Sequence, residues 1–176
     1  MLPSLISIKR KNKLKRSDLI TDKIFERPSL VQKIMQWRLT ARSIAFTNGV
    51  FDILHAGHIF SLSQAAKEAD CLVVGVNSDA SVKRLKGAGR PINNQESRIL
   101  VLASLQIVDA VVVFDEDTPR ELITAIMPDV IVKGGDYTVE QIAGAKEVMA
   151  NGGRVVINPI VEGFSTTQLI DKMKKA

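Results

Sequence analysis

Five short apolar runs punctuate the chain at Ser43 to Thr47, Leu72 to Asn77, Ala110 to Phe114, Val130 to Lys133 and Arg154 to Asn158. Their length and β-branched content predict buried strands. Between them lie stretches with helical spacing: Gly57 to Ala69, Ala80 to Leu85, Gln95 to Gln106, Pro119 to Ile126 and Val139 to Ala150. Ahead of the first run, Leu30, Val31, Ile34 and Met35 mark an amphipathic helix docked on the body, and Thr166 to Lys175 reads as a closing helix. Strands that alternate with helices imply a parallel sheet covered on both faces, because each parallel pair needs a crossover. The expectation is an α/β domain, a doubly wound five-stranded parallel sheet, over residues 30–176, preceded by a basic extension at 1–29.

In such sheets ligands bind beyond the carboxyl ends of the strands. Glycine-rich polar segments follow four of the five runs: "NGVFDILHAGH", "NSDASVKRLKGAGRP", "KGGDY" and "EGFSTTQ". In the first, His55 and His58 stand at i, i+3 on one side of a helix start, where free amides and the helix dipole favour an anion. Gly57, without a Cβ, lets a phosphate approach the backbone. A zinc site lacks its usual ligands, since there is no third histidine and Cys71 lies within a strand. A purely structural histidine pair is the competing reading. Ser165 and Gln168 have capping-box spacing, so Ser165 to Thr167 is either an ordinary helix cap or a second phosphate grip. Lys86, Arg90 and Arg98 lie in or just beyond a Gly-rich loop suited to a lid over triphosphate, with a simple ion pair as the other reading of Arg98. Lys133 and Asp136 flank the glycines of "KGGDY" and could meet nucleotide or substrate hydroxyls, or merely form a turn. Neither G-x-x-x-x-G-K-[ST] nor G-x-G-x-x-G occurs.

Charge narrows the partners. The net +5 is unevenly spread: residues 1–42 carry eleven Lys/Arg against three Asp/Glu, and the remainder is net negative. The body therefore gives no support to nucleic acid as a partner. No apolar run reaches membrane-spanning length and no secretory signal is visible, so no membrane partner is expected. One cysteine forms no internal disulfide, which fits the cytoplasm.

At "FTNGVFDILHAGH", "VNSDASVKRLKGAGRPIN", "VVFDEDTPRELI", "PDVIVKGGDY" and "GGRVVINPIVEGFSTTQLI" the chain resembles the H-x-G-H nucleotidyltransferase superfamily. The resemblance is closest to the adenylyltransferases that make ADP-activated heptose for lipopolysaccharide, and it covers residues 30–176. It implies a Rossmann-like (HUP-type) fold. It also implies a reaction in which ATP, with Mg²⁺, and D-glycero-β-D-manno-heptose 1-phosphate give ADP-heptose and pyrophosphate. By resemblance, His55, His58 and Lys86 carry the chemistry. Asn48, Gly49, Phe51, Asp52, Gly57, Arg98, Lys133, Gly135, Asp136, Ser165, Thr166 and Thr167 contact nucleotide or sugar, and no protein metal site is expected. A homodimer is implied, together with a separate sugar kinase, since some relatives fuse such a kinase to this domain. Many relatives carry Cys where this chain has Val50, so a role for that thiol does not transfer. Two other readings stay open: a cytidylyltransferase acting on glycerol 3-phosphate or a related alcohol phosphate, and a non-catalytic nucleotide-binding regulatory module.

Overall fold

The computed structural model describes residues 18–159. Short helix α1 (Asp18–Thr21) and strand β1 (Ile24–Phe25) lead into α2 (Arg27–Leu39). There follow β2 (Ile44–Gly49), α3 (Ala56–Ala66), β3 (Cys71–Asn77), α4 (Asp79–Lys86), α5 (Gln95–Ser104) and β4 (Ala110–Phe114). The order ends with α6 (Arg120–Ile126), β5 (Val130–Gly134), α7 (Ala145–Ala150) and β6 (Arg154–Asn158). Among the described residues the sheet has six strands, all parallel, in the order β1-β4-β3-β2-β5-β6.

The α/β doubly wound class holds, and the strand count is corrected from five to six. The added strand is the two-residue β1, drawn from the stretch that the sequence assigns to the extension. Ile24 and Phe25 pair with Val111 and Val112, and Lys23 reaches across to donate to the Leu105 carbonyl at 3.0 Å. A strand so short, set between charges, has no periodicity to read.

Alternate residues of each strand face opposite layers. Ile44, Phe46, Val73, Val112 and Ile131 pack beneath α2, α6 and α7 with Leu30, Ile34, Trp37, Leu122, Ile123 and Val148. Ala45, Leu72, Val74, Val111 and Val132 pack beneath α3 and α5 with Leu62, Ala65, Leu102 and Phe51. The stripe on α2 is Leu30, Ile34 and Trp37 rather than one that includes Met35, which is 60% exposed. The single helix expected over Val139 to Ala150 is instead a 3₁₀ turn, Val139–Gln141, and α7. Gly144 breaks it at φ 81°, where an added Cβ would meet Ile123 at 2.5 Å.

At the amino edge of the sheet, carboxylates hold the strand entries. Asp129 accepts from the Ile44 amide at 2.8 Å and Asp109 from the Leu72 amide at 2.8 Å. At the opposite edge, Gly75 makes room: a Cβ there would meet the Phe46 ring at 2.9 Å and the Asn48 Cβ at 3.4 Å. Gly75→Ala should therefore cost about 1–3 kcal/mol by overpacking and disturb Asn48. Urea denaturation of the variant checks the first effect; a loss under about 0.5 kcal/mol would mean that the neighbouring rings give way freely.

Candidate active site

The sheet order reverses at β2. Chain leaving β2 builds outward through β3 and β4, then returns to lay β5 and β6 on the other flank. Loops diverge at that point, and the carboxyl ends of β2 and β5 border a crevice. A cavity of about 320 Å³ opens there, lined by Asn48 and Gly49 of β2, Asn77 of β3, Lys86 of α4, Thr118 before α6, Lys133 of β5 and Tyr137 after it. Ile123, Ile131 and Ile142 form its apolar floor. Lys133 donates to Asn48 Oδ1 at 3.1 Å, which bridges the two strands at the reversal. Its ammonium stands 5.8 Å from the Tyr137 ring centroid, and burial lowers its pKa from the ordinary lysine value. The turn that carries Tyr137 requires Gly135, whose φ is 129° and whose added Cβ would meet the tyrosine ring at 2.9 Å.

On the other layer, the loop after β2 turns through Phe51, held at φ 50°, a strained conformation for a bulky residue. That turn buries the Phe51 ring and aims the next residues into α3. His55 is the N-cap residue of α3 and places no side-chain hydrogen bond on the first-turn amides, so that turn presents backbone N–H groups beside both imidazoles. The His55 and His58 rings stack with centroids 3.9 Å apart, and Phe51 lies 5.3 Å from His58. Burial, and then the neighbouring His55, push His58 down to about 4, although a hydrogen bond to the Ile53 backbone opposes them. Burial lowers His55 as well. His58 is thus neutral near pH 7 and acts as a hydrogen-bonding group rather than a cation; its Nδ1 is buried without a partner among the described residues. Gly57 sits within this first turn, and Ser61 one turn on lies against Gly134 at the end of β5.

Asp52 and Arg98 lie beneath the site and do not line the cavity. Asp52, 3% exposed, accepts from Arg90 Nε at 2.7 Å and from the amides of Ile92 and Asn93, each at 2.8 Å. Burial alone would raise its pKa; the two amides and Arg90 more than reverse this and lower it. Arg98, 2% exposed, donates to the carbonyls of Val50 at 2.6 Å, Asn77 at 2.8 Å and Asn93 at 3.1 Å, and pairs with Asp79 at 2.8 Å. One guanidinium thereby ties the ends of β2 and β3 to the Gly-rich loop. Arg90 turns inward to Asp52, while Lys86, Gly87 and Gly89 remain exposed. Asp136 is exposed beside Tyr137. Ser165, Thr166 and Thr167 lie outside the described residues. Sequence reasoning did not single out Asn77, Thr118 and Tyr137 of the lining; Asn77, closing the apolar run before "SDAS", and Tyr137, ending "KGGDY", carry signals that could have found them.

A family model described as cytidylyltransferase-like matches residues 46–172. The chain belongs to the cytidylyltransferase-like family. Relatives of this family member include the bifunctional protein HldE of Mesorhizobium japonicum, 52% identical over 153 residues, and that of Koribacter versatilis, 55% identical over 150 residues. The aligned parts cover 87% and 85% of this chain and 31% of each relative, so the chain spans about a third of their length. A crystal structure of a lipopolysaccharide core biosynthesis protein from Thermoplasma volcanium superposes with a TM-score of 0.55 at 30% identity, covering 68% of this chain and 97% of that one.

Two outcomes follow from this cytidylyltransferase-like architecture. Asp52→Asn keeps an oxygen for the Ile92 and Asn93 amides but sets an NH2 group against Arg90 Nε, costing about 1–3 kcal/mol; hydrogen exchange across residues 90–93 should accelerate, and unchanged protection would remove Asp52 as the loop's clamp. The second concerns pH. Above the ordinary His value of 6.5 the folded and unfolded His58 are both neutral, so its contribution is constant. As pH falls from 6.5 toward about 4 the unfolded imidazole protonates first, and stability is lost over that window. The urea midpoint of wild type should drop more than that of His58→Asn over this range; parallel curves would contradict a buried neutral His58.

Proposed function

We propose that the protein is a nucleotidyltransferase that joins MgATP to D-glycero-β-D-manno-heptose 1-phosphate, giving ADP-heptose and pyrophosphate. The observation that carries the reading is the stacked His55–His58 pair at an uncapped helix start beside the reversal of the sheet. Such a start binds anions through backbone amides, and the ordered motifs shared with ADP-heptose adenylyltransferases supply the substrate pair. The resemblance also carries a homodimer and a sugar kinase that provides the 1-phosphate.

The nucleophile is a phosphate oxygen of the sugar 1-phosphate, already largely ionised because a phosphomonoester's second pKa is about 6. It forms a bond to the α-phosphorus of ATP as the bond to the bridging oxygen breaks, and pyrophosphate departs with that electron pair. No protein base is required. The protein's part is alignment and stabilisation of charge on the phosphates. Neutral His55 and His58 would hydrogen-bond phosphate oxygens, the first-turn amides of α3 would add their dipoles, and Lys86 would offset charge on the triphosphate. Ser165, Thr166 and Thr167 would grip the triphosphate from the far side. Mg²⁺ would arrive on the triphosphate as part of the substrate.

His58→Ala should lower turnover by about 10²–10³-fold, the range for losing one preorganised electrostatic donor, with its circular dichroism unchanged. A coupled pyrophosphate assay reads this directly. Offering ATP, CTP, GTP and UTP with a panel of sugar 1-phosphates and glycerol 3-phosphate tests the substrate pair. Turnover with CTP alone would replace the adenylyl reading by the cytidylyl one, and no turnover with any pair would leave a nucleotide-binding module.

A further inference from the structure

We infer that Arg84 is a positioning residue for Lys86: by occupying the Asp117 carboxylate it keeps the Lys86 ammonium from pairing there, and so leaves that cation to the phosphates of a bound nucleotide. This rests on the nucleotidyl-transfer reading above and adds the device that keeps one of its cations available.

The turn after β4 carries three successive carboxylates, Asp115, Glu116 and Asp117, and α4 is bonded along it. Ser78, the N-cap of α4, donates to Asp115 Oδ1, and Ser81 donates to the Glu116 carbonyl at 3.2 Å. Arg84 donates through Nε to Asp117 Oδ1 at 2.8 Å and through Nη2 to the Asp115 carbonyl. Residues three apart lie on one side of a helix, so the spacing 78, 81, 84 lays these contacts out in the order of the turn. Arg27, from the start of α2, takes the Glu116 carboxylate. Among the described residues, the partner of the Asp117 carboxylate is Arg84 alone.

What this leaves over is at the end of α4. Lys86 and Asp117 line the same cavity, together with Leu85 and Thr118. Among the described residues the side chains of Lys83 and Lys86 form no hydrogen bond or ion pair, so Arg84 is the cation of the last turn that ties it to the body. Gly87 then ends the helix at φ 92° with no atom within 4 Å of an added Cβ. A lysine beside an unoccupied carboxylate on one cavity wall would be drawn to it, and a phosphate would have to displace that partner. Arg84 prevents this because its planar fork engages both the Asp117 carboxylate and the Asp115 carbonyl, whereas an ammonium is a point charge. The Arg84 and Asp117 side chains are 46% and 63% exposed, so their pair contributes little to stability. Its effect is on which cation stays free.

The test is calorimetric titration with a non-hydrolysable MgATP analogue at about 10 mM salt, where exposed charges are little screened. Arg84→Gln should weaken the analogue about three- to fivefold, the upper end for an exposed charge pair. Asp117→Asn should not weaken it, and the two substitutions together should return within about twofold of wild type. In a Lys86→Met chain, Arg84→Gln should change the affinity by less than about twofold. A merely structural tie behaves otherwise, since Asp117→Asn breaks the same bond and would lose as much as Arg84→Gln. That result, an unchanged affinity in Arg84→Gln, a double variant no better than Arg84→Gln, or the full loss persisting in the Lys86→Met chain would each overturn the assignment. Turnover separates it from the broader reading. If wild type releases pyrophosphate but these variants leave the MgATP KM unaltered, the role of Arg84 alone falls. If the affinity pattern holds yet no substrate pair releases pyrophosphate, the transfer reading alone falls. Wild type that fails to bind the analogue would overturn both.

Discussion

Parallel pairing of β2 with β3 on one flank and β5 on the other is the constraint from which the rest follows. Because crossovers between parallel strands are right-handed, extending the sheet outward from β2 puts α3 and α5 on one face, and returning puts α6 and α7 on the other. Ile44, Ala45 and Phe46 are fully buried between these layers, so β2 has no freedom to shift register. Its end therefore sits where the loops part. A strand paired on both sides, opening into a crevice, is a rigid base for the groups at its end.

Polar groups divide accordingly. At the amino edge, Asp109 and Asp129 are committed to strand amides. Beneath the carboxyl edge, Asp52 and Arg98 have their bonds filled by Arg90, Asp79 and the loop backbone. Buried charges satisfied so completely act as scaffold, since breaking such a set leaves a charge uncompensated. His58 Nδ1 and the Lys133 ammonium differ, the first without a partner among the described residues and the second with one neutral partner. Incomplete satisfaction in a buried polar group calls for an explanation; these two lie near the end of β2, and Asn158 Nδ2, likewise without a partner among the described residues, lies at the end of β6.

Much of this was legible beforehand because apolar strand runs are local signals. Ala110 to Phe114 and Arg154 to Asn158 match β4 and β6 residue for residue, and the other three runs differ from their strands by one or two residues at an end. The H-x-G-H pair was legible from spacing, since three residues bring two side chains to one side of a helix start. What escaped depends on contacts across the chain. β1 exists only because β4 offers it an edge. The buried partners of Asp52 lie 38 to 41 residues away, in a loop whose path no periodicity announces. Arg98 offered two readings, a ligand contact or a local ion pair. The structure pairs it with Asp79 of α4 rather than with a carboxylate of its own helix, and adds the carbonyls of Val50, Asn77 and Asn93.

Neutral imidazoles stacked beside the end of β2 have an electrostatic logic. Two imidazolium rings with centroids 3.9 Å apart would repel strongly in a partly desolvated site, and burial keeps them neutral without a carboxylate between them. Neutral donors bind phosphate oxygens without the tight charge pairing that would hold substrate and product alike. In the proposed nucleotidyl transfer, stabilisation would then grow as charge shifts toward the departing group, which is the condition for lowering a barrier rather than deepening a ground state.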